Sequence, residues 1–228
     1  MIKVISLGGS IVAPDGVDTG FLKRFRTVVQ EYVSTTHRRL ILVIGGGAPA
    51  RAYQTAFREL VEDDNSDEAD WIGVAATKLN AALLRAVFRG MCPNPVVSDP
   101  TGEIDFQGDL LIASGWKPGF STDYDAVLLA ERFGAEGVIN LSNIERVYTA
   151  DPRTDPSATP IDAISWSEFT SLVGDVWSPG SNLPFDPVAT RKAYELGLKV
   201  VVARGTDIEN LRRILHDESF IGTQIGPD

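Results

Sequence analysis

LILVIGGGAPARAY, residues 40–53, decides the fold class. Leu40–Ile44 is an unbroken apolar run, too short for a helix and without alternation. A strand covered on both faces of a parallel sheet reads this way. Gly45-Gly46-Gly47 closes the run, and Pro49 follows where the first turn of a helix tolerates proline. Ala50–Val61 continues as a helix, so the stretch is one strand–turn–helix unit. The same grammar repeats outward. Ile2–Leu7 is a strand that stops at Gly8-Gly9, and Thr19–Ser34 follows with Phe21, Leu22, Phe25, Val28, Val29, Tyr32 and Val33 at helical spacing. Beyond the polar patch Glu62–Glu68 comes a helix over about 70–90, then short strands at Val96–Ser98 and Gly108–Ala113. Ser121-Thr122-Asp123 caps a helix running to Phe133, and Gly137–Leu141 is a strand. After a Pro/Thr/Asp-rich loop at 151–160, Ser165–Val173 is a helix with a capping box from Ser165 to Glu168. Helices at Asp186–Leu196 and Thr206–His216 alternate with strands at Lys199–Ala203 and Phe220–Ile225. Strands alternating with helices imply right-handed crossovers and a mostly parallel sheet with helices on both faces.

The chain has 228 residues, 43% of them hydrophobic, with 31 acids against 21 bases and a net charge of −10. One domain of this size buries roughly 70–75% of its unfolded surface, so neither disulfide nor metal staple is needed. The acidic balance argues against a nucleic-acid-binding surface but allows a local basic pocket for phosphate. Cys92, the single cysteine, reads as a buried small hydrophobe in a reducing compartment. The opening MIKVISLGGS breaks too early for a signal peptide, and no apolar stretch approaches membrane-spanning length. A cytoplasmic protein is the expectation. His37 and His216 stand at polar helix ends, so neither a zinc cluster nor a Ser-His-Asp arrangement is expected. Trp71, Trp166 and Trp177 read as packing residues.

In an open α/β sheet, ligands bind beyond the carboxyl ends of the strands. Gly8-Gly9-Ser10, Gly45-Gly46-Gly47 and Ser121-Thr122-Asp123 all fall there. Glycine admits close backbone approach, and helix N-termini offer free N–H groups to anions. Each turn alone is also explained as a tight strand-to-helix connection. No G-x-x-x-x-G-K-[ST] is present, so the loops are not a P-loop. Residues 45–50 do match G-x-G-x-x-A, the dinucleotide fingerprint. They follow the second strand, and no acid closes a strand about 20 residues on, as that fingerprint requires.

Six segments together resemble the amino-acid kinase superfamily, and within it the archaeal-type UMP kinases. They are ISLGGSIVAP (5–14), VIGGGAPARAY (43–53), DWIGVAATKLNAALL (70–84), PGFSTDYDAVLLAE (118–131), LSNIERVYTADPRTDP (141–156) and DPVATRKA (186–193). The resemblance spans essentially the whole chain. It implies a single α/β/α sandwich domain, 1–228, with an acceptor-binding lobe over about 1–135 and an ATP-binding lobe over about 136–228. It also implies ATP and Mg²⁺-dependent phosphorylation of UMP to UDP, and a homo-oligomer, commonly a hexamer.

Carried over residue by residue, Gly8, Gly9 and Ser10 resemble the loop on the ATP phosphates. Gly47 and Arg51 resemble further ATP-phosphate contacts, and Ser142, Asn143, Tyr148 and Asp151 the rest of the ATP pocket. Gly46 resembles a UMP contact, Asp70 the acid on the UMP ribose, and Trp116, Lys117, Pro118, Gly119, Phe120, Ser121 and Thr122 the UMP base-and-phosphate loop. A carboxylate suits ribose because it accepts from two hydroxyls. Asp123, Asp186 and Arg51 resemble the groups around the transferring phosphoryl, and no residue is assigned as a dedicated metal ligand.

The chain departs from the family pattern at four places, one of them Val74-Ala75-Ala76, blander than the polar version expected near the nucleotide. Ser6 stands where many members carry lysine, and strand alternation puts Lys3 on the opposite face. Arg51, Lys117, Arg191 and Lys192 are the candidate replacement cations. Glu145-Arg146 replaces the Asp-Gly of the family's N-V-D-G-V-Y turn, and Arg146 either takes up the glycine's backbone conformation or points into the site. Trp116 and Lys117 replace small or polar residues. Three functions stay open on these residues: a working UMP kinase, a kinase of another phosphate or carboxylate acceptor, and a nucleotide-binding relative without catalysis.

Overall fold

A computed structural model describes residues 1–61, 66–174 and 183–227. Its elements are β1 (Ile2–Leu7), α1 (Gly9–Val12), α2 (Thr19–Thr36), β2 (Arg39–Ile44), α3 (Gly47–Leu60), α4 (Ser66–Val87), β3 (Leu110–Ala113), α5 (Thr122–Phe133) and β4 (Val138–Ser142). Then follow β5 (Val147–Tyr148), β6 (Pro160–Ile161), β7 (Ala163–Ser165), α6 (Trp166–Val173), α7 (Pro187–Glu195), β8 (Val200–Arg204), α8 (Ile208–Leu215) and β9 (Thr223–Gly226). The main sheet has the order β3-β2-β1-β4-β8-β9-β7. β3, β2, β1, β4 and β8 are mutually parallel, and β9 runs antiparallel to β8.

Strand alternation divides the interior into two cores. Ile5, Leu7, Leu42, Ile112, Leu141 and Ala203 meet α2, α4 and α8 on one face. Val4, Val43, Leu111, Val138, Val200 and Val202 meet α5, α6 and α7 on the other. This is the expected three-layer α/β/α sandwich. Local signals close its helices. Ser121 accepts from the Tyr124 amide, and Gly134 ends α5 at φ +57°. Ser165 and Glu168 form the full capping box. Trp166 is wholly buried and donates its indole N–H to the Leu198 carbonyl.

Four expectations need correction. Val96–Ser98 is not a strand; Val97 makes only an isolated bridge to Ala113. Helix α3 begins at Gly47 rather than Ala50, and α4 runs from Ser66 to Val87 rather than over 70–90. The two- and three-residue strands β5, β6 and β7 carry no readable period. Trp71 is 46% exposed and is not core packing. Trp177 lies outside the described residues.

Lys3 confirms the alternation argument. It is buried, and its ammonium donates to the Ile214 and Leu215 carbonyls and to Asp217, capping α8 at the amino ends of the strands. That places its charge at the wrong end of the sheet to replace a lysine at position 6.

Candidate active site

The carboxyl ends of β1, β2, β4 and β8 are tied together by their own backbone. Gly8 N–H donates to Leu141 O at 2.9 Å, Gly45 N–H to Leu7 O at 3.0 Å, and Gly205 N–H to Ser142 O at 2.8 Å. The two glycine loops lie against each other. A Cβ on Gly9 would stand 2.0 Å from Gly47 N, and one on Gly45 would stand 2.4 Å from Gly9 N. Gly47 has φ +69°. These three glycines are therefore demanded by the packing of loop on loop. What that packing presents outward is the N-terminus of the 14-residue α3, whose N-cap Gly46 supplies no side-chain bond. The Ala48 amide is taken by the Ala13 carbonyl at 2.9 Å and Pro49 has no N–H, so the pull on an anion there comes from the helix dipole rather than from a row of free amides. Arg51, on the second turn of α3, reaches back to Ser10 Oγ at 3.1 Å and the Pro14 carbonyl at 3.2 Å. Arg51 and Ser10 thus meet, as the resemblance implies.

On the α5 face, β1 and β4 carry polar residues where the strands leave the core. Ser6 pairs in register with Asn140, and Ser142 with Arg204. Ser6 Oγ donates to Asp123 Oδ1 at 2.8 Å, so the serine holds a carboxylate in the place where a cation was expected. Asp186 caps α7, accepting from the Ala189 amide at 2.7 Å, while its other oxygen is buried and makes no hydrogen bond among the described residues. Burial pushes Asp123 up to about 6, with the neighbouring Asp186 charge adding to the rise and the Ser6 hydroxyl opposing it. Burial likewise raises Asp186 against the pull of the Ala189 and Val188 amides and the Ser121 hydroxyl. Asp125, one residue beyond Tyr124, is pushed up to about 7, chiefly by burial, against the pull of the Trp116 amide.

Asp125 makes a sharp prediction for the ligand-free protein. A carboxyl that is ordinary in the unfolded chain and titrates near 7 when folded keeps a proton that unfolding releases. Its contribution is full below about pH 4, falls as pH rises, and is lost above about 7. Three units correspond to on the order of 4 kcal/mol. Relative to an Asp125→Asn variant, the parent is expected to lose about 2–3 kcal/mol between pH 5 and pH 8 in urea unfolding. Parallel stability curves for the two proteins would reject this.

Asp70 and the 116–120 segment, which the resemblance gives to the acceptor, meet. Asp70, in the second turn of α4, accepts the Gly119 amide at 3.1 Å. The 116–120 segment carries an aromatic run: Trp116 lies 5.3 Å from Phe120, and Phe120 stacks at 4.8 Å on Tyr124 of α5. The Lys117 ammonium sits 3.8 Å over the Trp116 ring. Two residues that the sequence did not flag hold this region. Asn80 donates to the Gly45 and Gly46 carbonyls at 2.8 and 2.9 Å, and Thr77 Oγ1 accepts the Gly115 amide at 2.8 Å. Both are buried polar residues one turn apart on α4, which was the available signal.

Other expected groups fall elsewhere. Arg146 has no left-handed backbone and pairs with Asp162, so it neither inherits a glycine conformation nor points into the site as a free cation. Lys192 is engaged by Glu131 at 2.9 Å, and Arg191 is exposed on α7. Asp151 is held at about 2 by Arg153, whose guanidinium it binds on the surface. Ser142 Oγ accepts the Ile144 amide at 3.4 Å and Tyr148 lies in β5, and among the described residues no hydrogen bond joins Asn143, Tyr148 or Asp151 to the glycine loops. Arg204, at the end of β8, lies 3.6 Å from Glu145, a cation near the carboxyl edge that the sequence reading passed over. Cys92 is buried, and His37 and His216 are exposed, as expected.

The chain is 36% identical to uridylate kinase of Hyperthermus butylicus over 95% of each chain. It is 33% identical to uridylate kinase of Haloarcula marismortui over the full length of both. The crystal structure of uridylate kinase from Archaeoglobus fulgidus superposes with a TM-score of 0.83 at 30% identity, covering 99% of this chain and 100% of that one. The Amino acid kinase family pattern matches residues 1–204, and the chain belongs to the amino acid kinase family.

Proposed function

We propose that the protein is a UMP kinase, transferring the γ-phosphoryl group of ATP to the phosphate of UMP. An oxygen of the acceptor phosphate forms the new P–O bond. The bond between the γ-phosphorus and the β–γ bridging oxygen breaks, and ADP leaves with the electron pair. The observation that carries the reading is the meeting of Asp70 with the 116–120 segment, beside the joined glycine loops. It supplies an acceptor side and a phosphate side at the carboxyl edge of one sheet. In this reading residues 1–135 carry the acceptor lobe and the remainder the donor lobe.

Phosphoryl transfer asks for positioning and charge neutralisation, not a covalent nucleophile. The N-terminus of α3, Arg51 and Ser10 fit the transferring phosphates. Mg²⁺ travelling with ATP needs only one or two protein carboxylates, since phosphates and waters complete its shell. Asp186, with a buried oxygen lacking a partner, and Asp123 beside it fit that requirement. Bound there, the ion would offset phosphate charge.

A coupled ADP-release assay with Mg-ATP and a panel of UMP, CMP, AMP, GMP and dUMP tests the function. Activity confined to UMP is expected, and ATP binding without turnover across the panel would reject it. Asp70→Asn is expected to raise KM for UMP about tenfold, the worth of one lost charged hydrogen bond, while KM for ATP stays within twofold. An unchanged KM for UMP would remove Asp70 from the acceptor site.

We also infer a homo-oligomer. Helix α3 buries no residue, although Tyr53, Phe57 and Leu60 form one stripe along it. On α4, against which it packs, Trp71, Ala75, Leu79 and Leu83 recur every four residues and are exposed. A continuous apolar face of this kind suits a second copy of the chain. A monomer by light scattering would reject this inference.

A further inference from the structure

Three amides of the 115–119 segment are each held by a side chain from another element. Thr77 of α4 takes the Gly115 N–H at 2.8 Å, Asp125 of α5 the Trp116 N–H at 3.1 Å, and Asp70 of α4 the Gly119 N–H at 3.1 Å. The three acceptors differ in what surrounds them. Asp70 is half-buried, and Gly119 is exposed at φ +80°, so this end opens to solvent. Asp125 is 0% exposed and uses only one carboxyl oxygen. A buried carboxyl with an unpartnered oxygen costs stability, and an apolar side chain of similar volume would pack better there. The arrangement is therefore unfavourable for folding alone. Its one bond goes to the first residue of the aromatic run, and its chain neighbour Tyr124 stacks on the last ring of that run. Adjacent residues of α5 thus fix both ends of the Trp116–Phe120 segment.

We propose that Asp125 is a positioning residue for acceptor binding: by holding the Trp116 amide from beneath, it sets the 116–120 backbone so that the ring of Trp116 and the ammonium of Lys117 face the acceptor while Asp70 is released to engage it. The proposal rests on the reading of residues 116–122 as the acceptor loop. Asp125 itself does not touch substrate. The cost of its burial is the cost of a fixed loop.

Steady-state kinetics with Mg-ATP and UMP on Asp125→Leu, Asp125→Asn and Asp70→Ala, with thermal unfolding of each at pH 8, test it. Asp125→Leu is expected to raise KM for UMP about tenfold, leave KM for ATP within twofold, and raise Tm by several degrees. Asp125→Asn keeps an oxygen for the Trp116 amide and is expected to return KM for UMP to within threefold of the parent. Rising Tm with weakened acceptor binding is the signature that a purely structural residue would not give. Asp125→Ala replaces the leucine variant if leucine does not fit. The proposal is overturned if KM for UMP is unchanged in Asp125→Leu while Asp70→Ala raises it, if KM for ATP rises by the same factor, or if Tm falls along with binding. If neither Asp70→Ala nor Asp125→Leu moves KM for UMP, or the parent does not phosphorylate UMP, the acceptor-loop reading itself is wrong and the proposal falls with it.

Discussion

Asp123→Asn is expected to lower kcat by two to three orders of magnitude and leave both KM values within threefold. The substitution keeps the shape of the side chain and its bond to the Ser6 hydroxyl, and removes only the charge. In phosphoryl transfer the protein's work is to place charge around the transferring group, and one such electrostatic contact is worth about 2.7–4 kcal/mol in the transition state. Asp123 is the carboxylate at the opening of α5, one element from the glycine loops, and it lies against the amide of Asp186. The pH profile gives a second test. With its carboxyl pushed up to about 6, Asp123 is ionised above that pH and protonated below it. If the anion is the active form, kcat of the parent falls as pH drops through about 6, and the asparagine variant shows no such limb. A variant within threefold of the parent in kcat would remove Asp123 from the reaction. A large loss of thermal stability would instead assign it to the fold.

The sandwich was legible because its central elements are pure cases of their period. Leu40–Ile44 is uniformly apolar, and Ile2–Leu7 is broken only by Lys3 and Ser6, because both faces of β1 and β2 are covered. Helix α2 shows seven apolar residues on one stripe, and all seven are buried. What escaped had no period to read, as with β5 to β7, or had a period with a second meaning. The stripe of α3 reads as a core face from spacing alone, yet it faces outward, because periodicity reports that a face is apolar and not what covers it.

The site divides in the same way. The glycine loops announce themselves, since few sequences place two glycine clusters after two buried strands. That the loops press on each other, and so need glycine for packing as well as for any ligand, is visible only in three dimensions. The roles given to Asp70 and 116–122 came from resemblance; no residue pattern says that α4 will meet that segment. Asn80, Thr77 and Asp125 were missed for one reason. A polar residue on an apolar helix face acquires a role only when the backbone group it binds is known, and those groups are 34 to 38 residues away for Asn80 and Thr77 and nine for Asp125. Arg204 was passed over because a charge at a strand end reads as solvated.

The largest structural effect is expected from one methyl group at the joint of the two loops. In Gly9→Ala the new Cβ would lie 2.0 Å from Gly47 N and 2.6 Å from both Gly46 C and Gly46 N, all backbone atoms. No rotamer relieves such a contact, so β1 and β2 would have to part at their carboxyl ends. Those strands pair in register over six residues and both lie inside the sheet, between β3 and β4, where interiors transmit rather than absorb strain. A loss above about 4 kcal/mol is expected, which in a chain of this size lowers Tm by roughly 10 °C or more. Gly16→Ala is the control, because nothing lies within 4 Å of its Cβ and no left-handed φ is required. That change is expected to be neutral or to add about 0.4–1 kcal/mol by restricting the unfolded chain. Because the same joint holds the N-terminus of α3, where the ATP phosphates are proposed to bind, Gly9→Ala should lose ATP binding even at temperatures where it remains folded. A Gly9→Ala protein as stable as the Gly16→Ala control would mean that the loops do not meet as described. One that is destabilised but still binds ATP as the parent does would move the phosphate site away from them.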